Sequence, residues 1–235
     1  MQRRHPSNSN LIVVNGGQFQ NLRVYPKPLS KSYLEAIFRT LNASLNEHPR
    51  TFMVRFDLHL PQLNFIDSPM ICGTSVISRF FKSLNAKIQH DRESKRREGK
   101  RVHPCTLRYI WAKECAEAAT DHYHVAIFLN NDAYSHLGCF SQSGRNLRTK
   151  IIEAWASAIG LDEYNCKGLV HFPLAKPMYY LNCNDADFSQ EYESAFYRLS
   201  YLAKLETKHF GDRTRSFGCS QWHDNLTTKS ELVAE

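Results

Sequence analysis

Apolar and polar residues alternate cleanly over residues 51–60 (TFMVRFDLHL). Phe52, Val54, Phe56, Leu58 and Leu60 fall on one side, and Arg55, Asp57 and His59 on the other. A period of two predicts a strand with one apolar and one polar face, ended by Pro61. Helical periods lie on either side of it. Leu34, Ile37, Phe38, Leu41 and Leu45 recur within residues 30–48, where Ser30 or Ser32 can cap the start. Val76, Ile77, Phe80, Phe81, Leu84 and Ile88 stripe a long helix that begins near Thr74 and runs into a charged end at residues 91–101. Residues 105–112 and 122–129, rich in aromatic and β-branched side chains, predict two neighbouring strands. Residues 145–159 repeat Leu147, Ile151, Trp155 and Ile159 at helical spacing. Residues 167–172 read as a short strand and 187–208 as the last long helix.

This order of elements predicts an α+β fold, a central, mainly antiparallel β-sheet flanked by helices. Residues 1–20 read as a polar, flexible N-terminal tail, 21–222 as one domain, and 223–235 as a C-terminal tail.

Composition narrows the class. Hydrophobic residues at 42% and charged residues at 23% exclude a wholly disordered chain. The longest charge-free apolar stretches, 68–78 and 122–131, are too short to span a bilayer. The start MQRRHPSNSN, with no long apolar run after it, does not read as a secretory signal. Seven cysteines, an odd number with no C-x-x-C, predict reduced thiols in a cytosol rather than a disulfide framework. Thirty Lys and Arg against 23 Asp and Glu leave a net charge of +7, which points to a polyanion partner, most often nucleic acid.

Candidate chemistry begins at His122 and His124. Alternation puts both imidazoles on one face of their strand, with Tyr123 on the other beside Val125, Ile127 and Leu129. Two imidazoles about 7 Å apart along a strand can converge on one divalent metal. With 11 His in the chain, about 0.5 such pairs arise by chance, so the pair needs support. Glu114 provides it. A short hairpin would return its carboxylate to the two rings, with Glu117 competing because the register is open. Two imidazoles and one carboxylate leave positions free on the metal, as a Lewis acid for a phosphate oxygen requires.

A second constellation follows. Tyr197, Tyr201, Lys204 and Lys208 fall within an arc of about 60° on a helix, away from the apolar stripe of Tyr192, Ala195, Phe196, Leu199, Leu202 and Ala203. A phenol one turn from a lysine can attack phosphorus, with the ammonium stabilising the phenolate. Each feature alone has an ordinary explanation as solvated turn or helix residues. Their joint occurrence in a basic chain points to phosphoryl chemistry.

His-hydrophobic-His on a strand, an upstream Glu and a later Tyr-x-x-Lys resemble the HUH endonuclease superfamily, the rolling-circle replication initiators and relaxases. The phrases RYIWAKE, HYHVAIFLN, YRLSYLAK and RSFGCS resemble more closely the YagK/YfjJ C-terminal domain family, the inovirus-type replication proteins of phages and prophages, over roughly residues 25–220. The resemblance implies a palm-like fold (that of RNA-recognition motifs) and a cytoplasmic protein of a bacterial host. It implies a Mg²⁺ or Mn²⁺ cofactor on His122, His124 and Glu114, with Tyr201 as nucleophile and Lys204 as its partner. It also implies single-stranded origin DNA as substrate, a host polymerase and helicase as partners, and no membrane. Initiators with two tyrosines four apart carry a lysine immediately before the second. Here that residue is Ser200, which leaves open whether Tyr197 is a second nucleophile.

Candidate DNA contacts are Arg55, Asp57 and His59 on the polar strand face, of which Asp57 and His59 could instead touch the metal, together with Arg92, Lys95, Arg96 and Arg97 in the basic run, and Lys208. His59 can equally be a hydrogen-bonded sheet residue, and the run, with net +3 over residues 91–101, a solvated helix end. Tyr109, Trp111 and Tyr123 could stack on bases or fill the core. A cupin reading of His-x-His fails for want of an all-β pattern. A DNA-binding regulator that does not cut, and a metal-dependent RNA-processing enzyme, are the competing functions. No G-x-x-x-x-G-K-[ST] occurs, so no motor is expected.

Overall fold

The segment read as a tail folds into strands. A computed structural model describes residues 3–6, 8–61, 75–116, 119–138, 146–206, 208 and 215–221. In it β1 (Arg4–His5), β2 (Asn8–Phe19) and β3 (Leu22–Ser30) form a three-stranded antiparallel sheet. Gln20 and Asn21 take φ of 49° and 62° between paired Phe19 and Leu22, the two-residue turn whose twist suits a hairpin. The period of two is hidden because the register shifts between Asn15 and Gly17. Gly16, at φ 52°, fits there because a Cβ would stand 3.1 Å from the Pro26 carbonyl oxygen. Leu11, Phe19, Val24 and Leu29 are buried, which anchors the sheet. The expected boundary at residue 20 is corrected accordingly. The second expected tail, 223–235, lies outside the described residues.

After it come α1 (Lys31–Glu47), capped by the Ser30 hydroxyl, and β4 (Arg50–His59). Then follow α2 (Ser75–Arg97), β5 (Arg108–Ala116), β6 (Ala119–Asn130) and α3 (Leu147–Ile159). The chain continues through α4 (Glu163–Cys166), β7 (Val170–His171), β8 (Met178–Asn182), α5 (Phe188–Ser200) and β9 (Phe217–Cys219). The central sheet has the order β7-β4-β6-β5-β9, and β8 pairs with β4 further along the same edge. All of its pairings are antiparallel. The architecture is thus mixed α+β, with antiparallel sheets flanked by helices.

Two expected elements differ. Residues 167–169 are a 3₁₀ turn, which leaves only Val170–His171 as strand. The last helix stops at Ser200 rather than running to 208. Residues Tyr201–Ala203 tighten into a 3₁₀ turn, and Lys204 is extended, bridging to Leu29 of β3. Backbone pairing with the N-terminal sheet replaces the helical bonds that periodicity alone would extend.

The sheet has two unlike faces. Phe52, Val54, Phe56 and Leu58 of β4 join Tyr123, Val125, Ile127 and Leu129 of β6 in one core cluster with α2 and α3. Met53, Ala126, Phe128, Ile110 and Ala112 face the other way and pack with α1 and α5.

Candidate functional site

On that second face the chemistry changes along each strand. β4 reads Met53, Arg55, Asp57, His59; β6 backwards reads Phe128, Ala126, His124, His122; β5 reads Ile110, Ala112, Glu114. Antiparallel pairing sets Asp57 opposite His124, His59 opposite His122, and Glu114 opposite His122. Three strands therefore turn polar at the same end of the sheet.

The imidazoles meet there, with His122 Nε2 3.3 Å from His124 Nε2. Glu114 Oε2 lies 3.1 Å from His124 Nε2 and 3.9 Å from His122 Nε2. One ligand atom from each of the three residues lies within 4.8 Å of the others, and Glu114 and His124 are buried. Two imidazoles and a carboxylate around one point fit a divalent cation. Burial first, and then the neighbouring His124 and His59, lower the pKa of His122 and favour the neutral ring that a metal needs. The alternative ligand Glu117 lies outside the described residues.

A second layer fixes the orientation of His124. Asp57 Oδ1 is 2.5 Å from His124 Nδ1 and 2.5 Å from Arg55 Nη1. Arg55 Nη2 also reaches His124 Nδ1 at 2.7 Å, and Arg55 Nη1 donates to the Phe56 carbonyl. An ionised carboxylate only accepts and a guanidinium only donates, so Nδ1 can hydrogen-bond one of the two. Its proton goes to Asp57, the bond that lowers the Asp57 pKa. Arg55 Nη2 is then a close neighbour rather than a donor to the ring, and the Nε2 lone pair is left for a metal. Burial alone would raise the Asp57 pKa. The hydrogen bond from His124 and the Arg55 charge override it and hold the carboxyl far below its usual range. Arg55 is only 3% exposed, so this expected DNA contact is a buried support of the site. His59 stacks on the His122 ring with centroids 5.2 Å apart, and His171 of β7 comes within 3.8 Å of Asp57 Oδ2.

Tyr201 and Lys204 close the other side. Lys204 Nζ donates to Tyr201 Oη at 3.1 Å and lies 3.4 Å from Glu114 Oε1. The Tyr201 ring meets His124 edge-on at 5.3 Å. Burial lowers the Lys204 pKa, but Tyr201 and Glu114 more than offset it, so the amine stays an ammonium at neutral pH. Tyr201 is partly exposed.

The unwinding after Ser200 separates the expected Tyr/Lys arc. Tyr197 stands a turn earlier on α5, beneath the guanidinium of Arg23. Lys208 is buried, donating to the Ser216 carbonyl at 3.4 Å and lying near the Tyr33 ring. The basic run sits on α2, in the layer behind the sheet. There Lys95 pairs with Asp91, Arg97 with Glu93, and Arg92 donates to Gln89 and the His103 carbonyl. Arg96 is exposed on that same helix. Trp111 and Tyr123 are buried in the α2/α3 core, and Tyr109 stacks on Phe81, so none of the three is a free base platform. Sequence reasoning missed Tyr25 of β3. Its ring meets Tyr201 edge-on at 5.1 Å, and its backbone N–H donates to Ser200 Oγ. Its only signal was the Gln20–Asn21 turn.

Fold and site together define the class: a mixed α+β protein with a possible metal-binding triad at one end of an antiparallel sheet. Within that class the chain belongs to the YagK/YfjJ C-terminal domain family, which it matches over residues 18–220. It is 44% identical over 193 residues to the uncharacterized protein YagK of Escherichia coli (strain K12), covering 80% of this chain and 92% of that one. It is 36% identical over 195 residues to the uncharacterized protein YfjJ of the same organism, covering 80% and 93%. Among solved structures, the Minute virus of mice non-structural protein-1 N-terminal nuclease domain aligns over 81% of this chain and 79% of its own. The identity there is 12% and the TM-score 0.25, a level that fixes neither fold nor activity. Among the described residues no helix is long and apolar enough to cross a membrane.

Proposed function

We propose that this protein is a metal-dependent nuclease of the HUH endonuclease superfamily. It nicks and rejoins single-stranded origin DNA through a 5′-phosphotyrosine and so starts rolling-circle replication of a phage, prophage or mobile element. The observation that carries this reading is Lys204, whose Nζ reaches both Tyr201 Oη and Glu114 and so makes the metal-ligand set and the phenol one site.

Glu114, His122 and His124 would hold Mg²⁺ or Mn²⁺, which supplies a Lewis acid for a non-bridging phosphate oxygen. The chain's own groups perform the transfer. Tyr201 Oη attacks phosphorus in line, the Oη–P bond forms, and the P–O3′ bond breaks. The phenol proton leaves to solvent, and the departing 3′ oxygen takes one up, so the net products are a phosphotyrosine and a free 3′-OH. Lys204 stabilises the phenolate before attack and the charge on phosphorus after it. Asp57 keeps His124 in the tautomer and orientation the site needs, and Arg55 keeps Asp57 ionised. A host polymerase extends the 3′-OH behind a host helicase. The phosphodiester energy stays in the covalent bond, so a later 3′-OH reseals the strand without ATP.

The test is to incubate the protein with single-stranded origin DNA and Mn²⁺ and look for a denaturant-resistant adduct. The expected result is an adduct with the wild type and Tyr197→Phe, and none with Tyr201→Phe or His122→Ala. An adduct lost in Tyr197→Phe but kept in Tyr201→Phe would move the nucleophile. No adduct with the wild type, despite Mn²⁺ binding, would favour a regulator that does not cut.

A further inference from the structure

The first 34 residues contain no Asp or Glu but carry Arg3, Arg4, Arg23, Lys27 and Lys31. The acid-free part is the β1–β2–β3 sheet, whose exposed residues include the amides Asn10, Asn15, Gln18 and Asn21. Arg3, Arg4 and Arg23 are exposed as well. Lys27 pairs with Glu206 at 3.1 Å and Lys31 with Glu35 at 3.8 Å, which leaves Arg3, Arg4 and Arg23 as the outward cations. A sheet surface with these three arginines, many amide donors and no Asp or Glu of its own is complementary to a phosphate backbone. The basic run of residues 91–101 carries its own acids: Lys95 pairs with Asp91, Arg97 with Glu93 and Lys100 with Glu98.

The sheet also lies against the tyrosines. Arg23 rests over Tyr197 at 4.7 Å, and Tyr25 meets Tyr201 at 5.1 Å. Two residues of strand advance about 6.6 Å, and four residues of helix about 6 Å, so the two contacts follow one another in step along β3 and α5. Arg23 therefore stands about one helical turn from the phenol. The Tyr25 N–H to Ser200 Oγ bond, the Leu29–Lys204 bridge and the Leu205 N–H to Pro28 carbonyl bond tie β3 to the segment that carries Tyr201.

We infer that the N-terminal sheet is the surface on which single-stranded DNA lies as it enters the tyrosine site, with Arg3, Arg4 and Arg23 on its phosphates and Arg23 beside the scissile one. The inference rests on the proposed nuclease reading for its choice of DNA, and α2 takes no part in holding the strand.

The test measures binding alone, on the Tyr201→Phe background without metal, so that no cutting intervenes. Fluorescein-labelled oligothymidylate is titrated and followed by anisotropy at several salt concentrations. Arg3→Gln/Arg4→Gln/Arg23→Gln is expected to weaken binding at least about tenfold and to flatten the log–log salt slope by about 2, since each single-strand phosphate contact contributes about 0.7. Arg96→Gln/Arg97→Gln/Arg101→Gln is expected to change affinity less than about twofold. Unchanged thermal unfolding keeps a folding defect out of the comparison. Hairpin variants that bind like the wild type, or α2 variants that lose as much, would overturn the inference. Oligouridylate bound about tenfold tighter than oligothymidylate through the same arginines would overturn the choice of DNA. The adduct assay is scored separately. An adduct with unimpaired hairpin variants sinks this inference alone, and lost binding without any adduct sinks only the nuclease reading.

Discussion

The two faces of the central sheet are built from alternate residues of the same strands, yet they do different work. The α2/α3 face is apolar from end to end, from Phe52 to Leu58 and from Tyr123 to Leu129. The α1/α5 face is apolar for half its length and then polar, and it ends in Arg55, Asp57, Glu114, His122 and His124. Burying ionisable groups is costly unless they are paired. The chain can hold them there because the opposite face is continuous core and because each polar group meets a partner. One face keeps the strands in register, and the register assembles the site on the other.

The sharpest way to break this division is Trp155→Ala. Trp155 is fully buried in the dry layer, packs edge-on to Phe80 and Tyr123, and donates from Nε1 to the His59 carbonyl. Chemical denaturation should show a loss of about 4 kcal/mol. Below its unfolding transition the variant should still bind Mn²⁺, because the three ligands lie on the opposite face of the sheet.

Arg55→Met attacks the site face instead. Removing the guanidinium leaves Asp57 in a site it shares with His124 and without its nearest fixed charge. The expected cost is about 3 kcal/mol, a little less than for the tryptophan. Asp57→Asn/Arg55→Met should recover part of it, because the pair is then removed together. If Arg55→Met is neutral, the polar half of the face is not held by its pairing.

Asp57→Asn alone should act on the metal more than on the fold. An amide can accept from Nδ1 but carries no charge, so the His124 ring loses basicity and restraint. Calorimetric titration with Mn²⁺ should show affinity weaker by 10- to 100-fold, about 1.4 to 2.7 kcal/mol.

These residues also mark how far the chain could be read without its structure. β4, β6 and the meeting of Glu114 with the two histidines were legible because alternation and a short hairpin are local. Asp57 was legible only as a residue that could touch metal or DNA; its bond to His124 was not, because it depends on the non-local pairing that sets the two opposite each other. The end of α5 was misread for a related reason. Leu202 and Ala203 continue the helical stripe, but the bridge from Lys204 to Leu29 wins over it. The N-terminal strands were hidden by polar composition and a bulge, although they support Tyr201. Local order was visible, and what depends on distant pairing was not.

The smallest effect tests the dry face at a buried charged knot. Between α2 and α3, Asp91 is buried, pairs with Lys150 at 3.3 Å and Lys95 at 3.0 Å, and accepts from Tyr134 Oη at 2.8 Å. Burial raises its pKa, but these partners more than offset that and hold it below the ordinary 3.8. A carboxylate whose pKa is lower folded than unfolded adds stability above the unfolded value, and loses it as pH falls through the folded one. Asp91→Asn should cost about 1.5 kcal/mol at neutral pH. The gap in Tm between variant and wild type should stay constant down to the ordinary carboxylate range and close in stronger acid. The closing should come from a falling wild type, because the variant has no group there to protonate. A gap that persists in acid would mean that Asp91 acts by shape alone, and that the layer behind the site is apolar in its energetics as well as in its composition.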